Sequence, residues 1–324
     1  MTVPAYVHRL TLPTPFPVGP VYAYLFEGDL LTLVDTGPKA DVTRESLRAG
    51  LADFGYRPED IQRIIVTHHH ADHMGLAAEI WQRSGAEIWT HPYSLPWLAD
   101  YAGQQARHHP FYAAIWQQAG VPTDIVALMN DSSASLLRWI DPVLATHTLD
   151  EGQQIDLGGA PWQVFHTPGH AGGLICLWEP ASRTLLANDH LLRDISSNPV
   201  LEPPAHPGDP RPRRLVEYLL HLRRMAALEP VVALPGHGEL VTDVAGLVRQ
   251  RVAFHERRAE RLLSSLKGSE LSLWDLTQQA FPRVQRGMDY FLALSVVLAH
   301  LDLLESEGRA RAQTHGGRVS WLRR

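Results

Sequence analysis

The densest metal-binding chemistry in the chain lies in His68-His69-His70-Ala71-Asp72-His73. Imidazole and carboxylate are the side chains a first-row divalent cation takes from a protein. In the pattern His68-x-His70-x-Asp72-His73, a strand end followed by a loop and a helix start turns alternate side chains inward. His68 and His70 can then reach one cation while Asp72 and His73 reach a second. The plain alternative is a His-rich surface patch. Three further segments argue against it, each after a predicted strand and in turn-forming context: Thr167-Pro168-Gly169-His170, Asn188-Asp189-His190 and Leu234-Pro235-Gly236-His237. Loops held by a rigid sheet are where sites are built. The glycines let the backbone turn tightly beside a crowded centre. Seven donors suit two cations and are too many for one.

Such a centre hydrolyses. Two divalent cations about 3.5–4 Å apart share a water and lower its pKa toward neutrality, supplying hydroxide for attack on carbonyl or phosphorus. Asp72 can also steer the water or its proton. No serine or cysteine nucleophile is required, and Cys176, the one cysteine, sits mid-strand and reads as core. Asp35 and Thr67 are the candidates to orient the ligand histidines. His69 and His190 flank the donors and read as pointing away; His91, His166 and the His108-His109 pair read as structural or surface. In the loop after Asp189, Arg193 can meet an anionic substrate or pair with Asp194, and Asn198 lies at the mouth. Tyr93, Trp97, Tyr101 and Phe111 either wall a pocket or pack their own segment.

The elements that position these residues are legible. Val21–Glu27 and Leu30–Asp35 flank Gly28-Asp29 and read as a hairpin. Asp41 to Phe54 reads as a helix closed by Gly55, and Arg63–Thr67 as a buried strand. Leu76, Ala77, Ile80 and Trp81 share a helical face that Gly85 ends. Residues 94–146 form a helical insertion, with stretches at Leu95–Gln105, Pro110–Gln118 and Ser133–Trp139; it serves as lid, pocket wall or homodimer contact. Strands return at Gln154–Leu157, Trp162–Thr167, Leu174–Trp178 and Thr184–Ala187. A proline-rich loop, helix Leu215–Leu228 and strand Val231–Leu234 follow. Hairpins mixed with strand–helix units favour two sheets with helices outside. After Val241 the chain turns helical, with Val252, His255, Ala259, Leu262 and Leu266 on one face and Phe291, Leu294, Leu298 and Leu301 on another. Gly316-Gly317 joins two short strands. Three helices and a hairpin outline a winged helix, and its histidines, His255, His300 and His315, read as scattered.

Taken in order, Asp35-Thr36-Gly37, His68 to His73, His170, Asp189 and His237 resemble the motifs of the metallo-β-lactamase-fold hydrolase superfamily over residues 20–240. The resemblance implies an α/β fold, a four-layer αββα sandwich with the metals at one edge of its sheets. It implies that His68, His70 and His170 bind one metal, that Asp72, His73 and His237 bind the other, and that Asp189 bridges them. Both carboxylates, Asp72 and Asp189, then count as catalytic. Asn188 stands where many members have glycine. His237 resembles the hydroxyacylglutathione hydrolases, and His70 departs from the glutamate of flavodiiron reductases, which disfavours a redox di-iron role. Val296 to Gly308 resembles the winged-helix-like appendage of a lactamase-beta-2-like branch that includes thioester hydrolases and a nuclease. The expected division is 1–240 catalytic and 241–324 winged-helix-like.

Composition narrows the substrate. With 324 residues, 45% hydrophobic and 20% charged, the chain is of ordinary globular type. Residues 1–240 hold 16 Lys and Arg against 26 Asp and Glu, a net of −10, whereas the remainder holds 13 against 9. An acidic catalytic body disfavours polyanionic substrates, nucleic acid among them. The arginines from Arg309 onward read as a solvated rim. No run of 18 apolar residues marks a membrane span, Met1 to Pro20 lacks a secretory pattern, and a single cysteine fits a reducing cytoplasm. The expected function is hydrolysis of a small carbonyl ester, a thioester first, with a lactone or a nucleic acid as alternatives. The expected cofactors are two zinc ions, with iron or manganese able to take the same ligands.

Overall fold

Two mixed sheets lie face to face in the computed structural model, which describes residues 3–324. The first comprises, in spatial order, β1 (Val7–Leu12), β2 (Val21–Phe26), β3 (Thr32–Val34), β4 (Arg63–Val66), β5 (Glu87–Thr90) and β6 (His147–Thr148). Its first three strands are antiparallel, and β3 to β6 are parallel. The second comprises β7 (Gln154–Leu157), β8 (Ala160–His166), β9 (Ile175–Glu179) and β10 (Thr184–Asn188) in antiparallel succession, with β11 (Val232–Pro235) parallel to β10. Every residue of β2, β4, β9, β10 and β11 is buried. Strands covered on both faces read as unbroken apolar runs, which is why these were readable. The short edge strand β6 and the N-terminal β1 carry a weaker signal and escaped the sequence reading.

Between the sheets pack Tyr24, Phe26, Ile65, Trp162, Val164, Leu177 and Leu234. Phe26 meets Trp162 edge to face, 5.4 Å between centroids, the geometry aromatic quadrupoles favour. The first sheet's outer face is covered by α1 (Asp41–Ala52), α2 (Ala71–Met74) and α3 (Ala77–Ser84). Trp81, expected on the buried face of α3, is instead 44% exposed; Leu76, Ala77 and Ile80 already fill that face.

The insertion holds α4 (Leu95–Ala99), α5 (Tyr101–Ala119) and α6 (Thr123–Ser135). Helix α5 corrects the sequence reading, for it runs unbroken through Pro110. A proline inside a helix costs about 3 kcal/mol; here Trp116 and Ala119 are buried beyond it, with Tyr112 and Ile115 packed alongside. The third expected stretch is also displaced. Helix α6 begins at Thr123, and only one 3-10 turn spans Leu136–Trp139. Met129 is its single buried residue, so no apolar stripe announced it.

Over the second sheet lie α7 (Arg214–Ala226) and, beyond it, α8 (Val244–Ser265), α9 (Leu273–Ala280) and α10 (Gly287–Ser306). A small antiparallel sheet follows the order β12 (Leu271–Ser272), β14 (Arg318–Arg323), β13 (Ala310–His315), the last two joined at Gly316-Gly317. Ser272 and Asp275 form a reciprocal capping box at the start of α9. By length and composition α10 is apolar enough to cross a membrane, yet most of it is buried, with α6, α7, α8 and α9 as its neighbours. Phe291 of α10 reaches the insertion, with Tyr112 at 5.6 Å and Trp116 at 6.0 Å between centroids. The layers thus run helix, sheet, sheet, helix, with insertion and C-terminal helices sharing one apolar cluster.

Because Phe26 is fully buried between the sheets, Phe26→Ala leaves a void no neighbour fills. We expect a loss of about 3–5 kcal/mol, read from denaturant unfolding. A loss below about 1 kcal/mol, the range of tolerated core swaps, would show that the sheets are not packed through this residue.

Candidate metal centre

Strand direction gathers the donors. β8 and β10 are each antiparallel to β9, and β11 is parallel to β10. Their C-terminal ends therefore share one sheet edge, and His170, Asp189 and His237 follow those ends. β4 of the facing sheet ends at the same place, where the Ile175 amide donates to the Thr67 carbonyl at 3.1 Å. Two more bonds tie the sheets there: Tyr22 N–H to the Gly236 carbonyl at 2.8 Å, and the Tyr24 hydroxyl to the Pro235 carbonyl at 2.6 Å. Gly236 admits no side chain, because a Cβ would run into the Asp189 carboxylate. A Cβ on Gly169 would likewise strike the backbone of Tyr218 on α7.

The structure brings all seven predicted donors together. His70 Nδ1 lies 3.0 Å from both His68 Nε2 and His170 Nε2. Opposite them, His237 Nε2 lies 3.4 Å from Asp72 Oδ2, and His73 Nε2 lies 3.9 Å from Asp72 Oδ1. Asp189 Oδ2 sits between the groups, 3.5 Å from His170 Nε2, 3.5 Å from His73 Nε2 and 3.7 Å from His237 Nε2.

Four of the five rings, all but His70, are aimed by their other nitrogen. Nδ1–H of His170 donates to the Asn198 carbonyl at 3.0 Å, and Nδ1–H of His237 to the Pro20 carbonyl at 2.7 Å. Carbonyls only accept, so in its neutral form each of these rings turns a lone pair at Nε2 toward the centre. Asp35 organises the rest. Its Oδ1 accepts from the Thr67 amide, and its Oδ2 accepts from Thr67 Oγ1 at 2.9 Å, His73 Nδ1 at 2.7 Å and Asn188 Nδ2 at 2.6 Å. Thr67 Oγ1 has given its proton to Asp35, so it accepts from His68 Nδ1 at 3.1 Å. Asp35 and Asn188 hold left-handed backbone, φ 59° and 47°, a conformation asparagine and aspartate tolerate best after glycine. That is the sense of Asn188 before Asp189: it keeps the left-handed turn and adds a donor that a glycine lacks.

Electrostatics follow burial. It lowers His68 well below the ordinary range, His70 to about 3, and His170 also, so these rings stay neutral near pH 7. Burial also acts to lower His73 and His237, but Asp189 and Asp72 outweigh it and raise both. Burial would raise the two carboxyls; the adjacent histidines win, bringing Asp72 to about 2 and lowering Asp189. Two ionised carboxylates and five imidazoles thus converge in a buried space. His73 Nε2 and Asp189 Oδ1 have no hydrogen-bond partner there. Buried groups of this kind call for a partner. A donor set of imidazole and carboxylate fits divalent cations.

The remaining predicted residues take other parts. Arg193 pairs with Asp194 at 3.0 Å, and Asn198 contributes its backbone carbonyl to His170. His69 stacks on Trp97 at 4.6 Å and lies 3.4 Å from Glu202 Oε1. His190 packs edge-on to Tyr218. His166 stacks on His91 at 3.8 Å and donates to the Gly172 carbonyl. Trp97 lies among His69, Tyr101 and His108, while Phe111 packs against the apolar cluster. Burial pushes the Cys176 thiol up to about 12, as suits a core residue. Sequence reasoning missed the buried Arg214–Glu202 pair, 2.6 Å apart and joined by the Tyr93 hydroxyl. It also took His255 and His300 as separate, yet His255 Nδ1 and His300 Nε2 are 3.1 Å apart. Neither pairing has a signal in local spacing.

Asp35→Asn replaces an acceptor of four hydrogen bonds by a group that is half donor. We expect metal affinity to fall about 10–100-fold, the cost of losing such an outer partner, as measured by competition with a chelator. Unchanged affinity would reduce Asp35 to a turn former.

Comparison with known proteins agrees with the geometry. The family model of the metallo-beta-lactamase superfamily matches residues 16–237. The chain is 34% identical over 317 residues to the Bacillus subtilis (strain 168) protein named "Probable metallo-hydrolase YqjP", spanning 97% of this chain and 96% of that one. The crystal structure of a metallo-beta-lactamase family protein from Thermus thermophilus matches with a TM-score of 0.81 at 29% identity, over 98% of this chain and 99% of that chain. A shorter likeness, 25% identity over 148 residues, covers 46% of this chain and 32% of an atrochrysone carboxyl ACP thioesterase of Aspergillus fumigatus. The chain belongs to the metallo-beta-lactamase superfamily, and it is a metal-dependent hydrolase.

Proposed function

We propose that the protein holds two divalent cations, zinc by the nitrogen and oxygen character of the donors, and hydrolyses a small carbonyl ester, a thioester first. The observation that carries the dinuclear reading is the position of Asp189 Oδ2, 3.5 Å from a histidine of each group. His68, His70 and His170 would hold one cation and Asp72, His73 and His237 the other, with Asp189 as the donor that both would share. When bound, such a pair supplies Lewis acidity and a water of lowered pKa. The chain's own residues do the rest. Asp35 and the Pro20 and Asn198 carbonyls fix ring orientation. The Asp72 side chain is 15% exposed against 6% for Asp189, so Asp72 is the carboxylate better placed to accept a proton and pass it on at the mouth.

The substrate class rests on three supports. The body of residues 1–240 is acidic, which disfavours polyanions. A distant relative carries the name of a thioesterase. Arg309 is engaged within the chain by Glu260 and Glu307, which weakens the case for nucleic acid at the C-terminal sheet. We read the C-terminal order of helix, strand, helix, helix and hairpin as winged-helix-like. Lactone hydrolysis uses the same site chemistry and is the second reading.

Elemental analysis of gently purified protein should give nearly two cations per chain. A value of one that added metal does not change argues against the dinuclear reading. Thioesters, lactones and phosphodiesters should be screened on the same sample, with thioesters turning over fastest; preference for phosphodiesters overturns the substrate assignment. Asp189→Ala should cut turnover at least about 10²-fold without unfolding, more than outer-shell changes cost.

A further inference from the structure

The loop from His190 to Asn198 begins at one donor and ends at the support of another. Asp189 precedes it, and the Ser197 hydroxyl donates to the Asp189 carbonyl. At its far end the Asn198 carbonyl holds Nδ1 of His170. Two of the seven donors therefore take their position from a segment with no helix or strand, whose middle residues Arg193, Asp194 and Ile195 are exposed. Helix α8 grips that middle. Arg251 Nη2 donates to the carbonyls of Leu192 at 2.9 Å and Arg193 at 2.6 Å. Four residues on, one helical turn, His255 Nε2 lies 3.1 Å from Ser196 Oγ.

The direction of this contact is set from far away. His300 Nδ1 lies 2.7 Å from the Val296 carbonyl on its own helix α10. A carbonyl accepts, so Nδ1 carries the proton and Nε2 of neutral His300 is a lone pair. That nitrogen is 3.1 Å from His255 Nδ1, which must therefore donate. His255 Nε2 is then the acceptor, and the Ser196 hydroxyl is its donor. Burial lowers His255 to about 3 and His300 to about 4, so both rings are neutral as the scheme requires. Buried imidazoles cost stability unless every polar atom is paired; an apolar pair would fill the space without reaching the loop. The chain leaving the loop is fastened to α10 as well, Arg211 to both oxygens of Asp302 at 2.7 and 2.6 Å.

We propose that Arg251, His255 and His300 are positioning residues for the metal centre, acting from the C-terminal helices through Ser196 and the loop backbone on Asp189 and His170. The proposal rests on the reading of those residues as metal ligands.

The test uses full-length protein loaded with Co²⁺, followed by its visible spectrum and by release of Co²⁺ to excess chelator. Ser196→Ala combined with Arg251→Met should release Co²⁺ about 10-fold faster, the lower end of what outer partners contribute, and should shift the visible bands. The thermal midpoint should move by less than about 2 °C, the shift that about 1 kcal/mol gives a chain of this size. Ser196→Thr keeps the hydroxyl and should retain wild-type behaviour. His255→Leu should match Ser196→Ala, and the two together should be no worse than either, since one contact links them. Release and spectrum unchanged in the Ser196→Ala, Arg251→Met protein overturn the proposal while leaving the metal-centre reading intact. So does an additive effect of Ser196→Ala and His255→Leu. If His255→Leu does not fold, the Ser196 and Arg251 variants decide alone. A wild-type chain that takes up no Co²⁺ overturns both proposal and reading.

Discussion

One carboxylate oxygen holds the centre of this fold in register. Asp35 Oδ2 accepts hydrogen bonds from Thr67, His73 and Asn188, which belong to the end of β4, to α2 and to the end of β10. Those three positions lie beside His68, within the His73 ring itself, and beside Asp189. A fully buried carboxylate is costly unless it is well paired, and charge-assisted bonds are the strong ones. The same pairing that makes the carboxylate tolerable fixes where the two sheets meet. Stability of the sandwich edge and aim of the histidines are therefore one interaction. The left-handed backbone at Asp35 and Asn188 is the strain this arrangement carries, and strain of that kind persists where the surroundings over-determine it.

The site was more legible in the sequence than its supports were. His68 to His73 lie within six positions after a recognisable apolar run, so spacing alone suggested convergence. His170, Asp189 and His237 each follow a run of buried β-prone residues and a turn, a local signature too. The supports are different in kind. Asn188 reaches Asp35 across 153 positions, and His255 reaches His300 across 45; nothing in the neighbourhood of either residue announces its partner. Pro110 misled for a related reason. Local propensity says break, while packing around Trp116 and Phe291, which only tertiary structure supplies, keeps α5 whole.

The insertion and the C-terminal helices act as a single layer. Met129 of α6, Trp116 of α5, Leu222 of α7, Leu262 of α8 and Leu294 of α10 belong to one apolar cluster over the second sheet. The apolar face of α10 is thereby covered within the chain, and the insertion's aromatic residues are spent partly on that contact rather than all on a pocket wall. Shape at the mouth of the centre is thus tied to parts of the chain that carry no ligand.

The bond from His237 Nδ1 to the Pro20 carbonyl joins residues 217 positions apart. Closing a loop of that size costs entropy before its contacts repay it. During synthesis, the first sheet emerges long before the strand that brings His237. Until then the facing sheet lacks its last strand, β11, and the second group of donors lacks a member. The second group of donors is consequently completed late in the life of the nascent chain, and strands of the unfinished sandwich are open to aggregation in that interval.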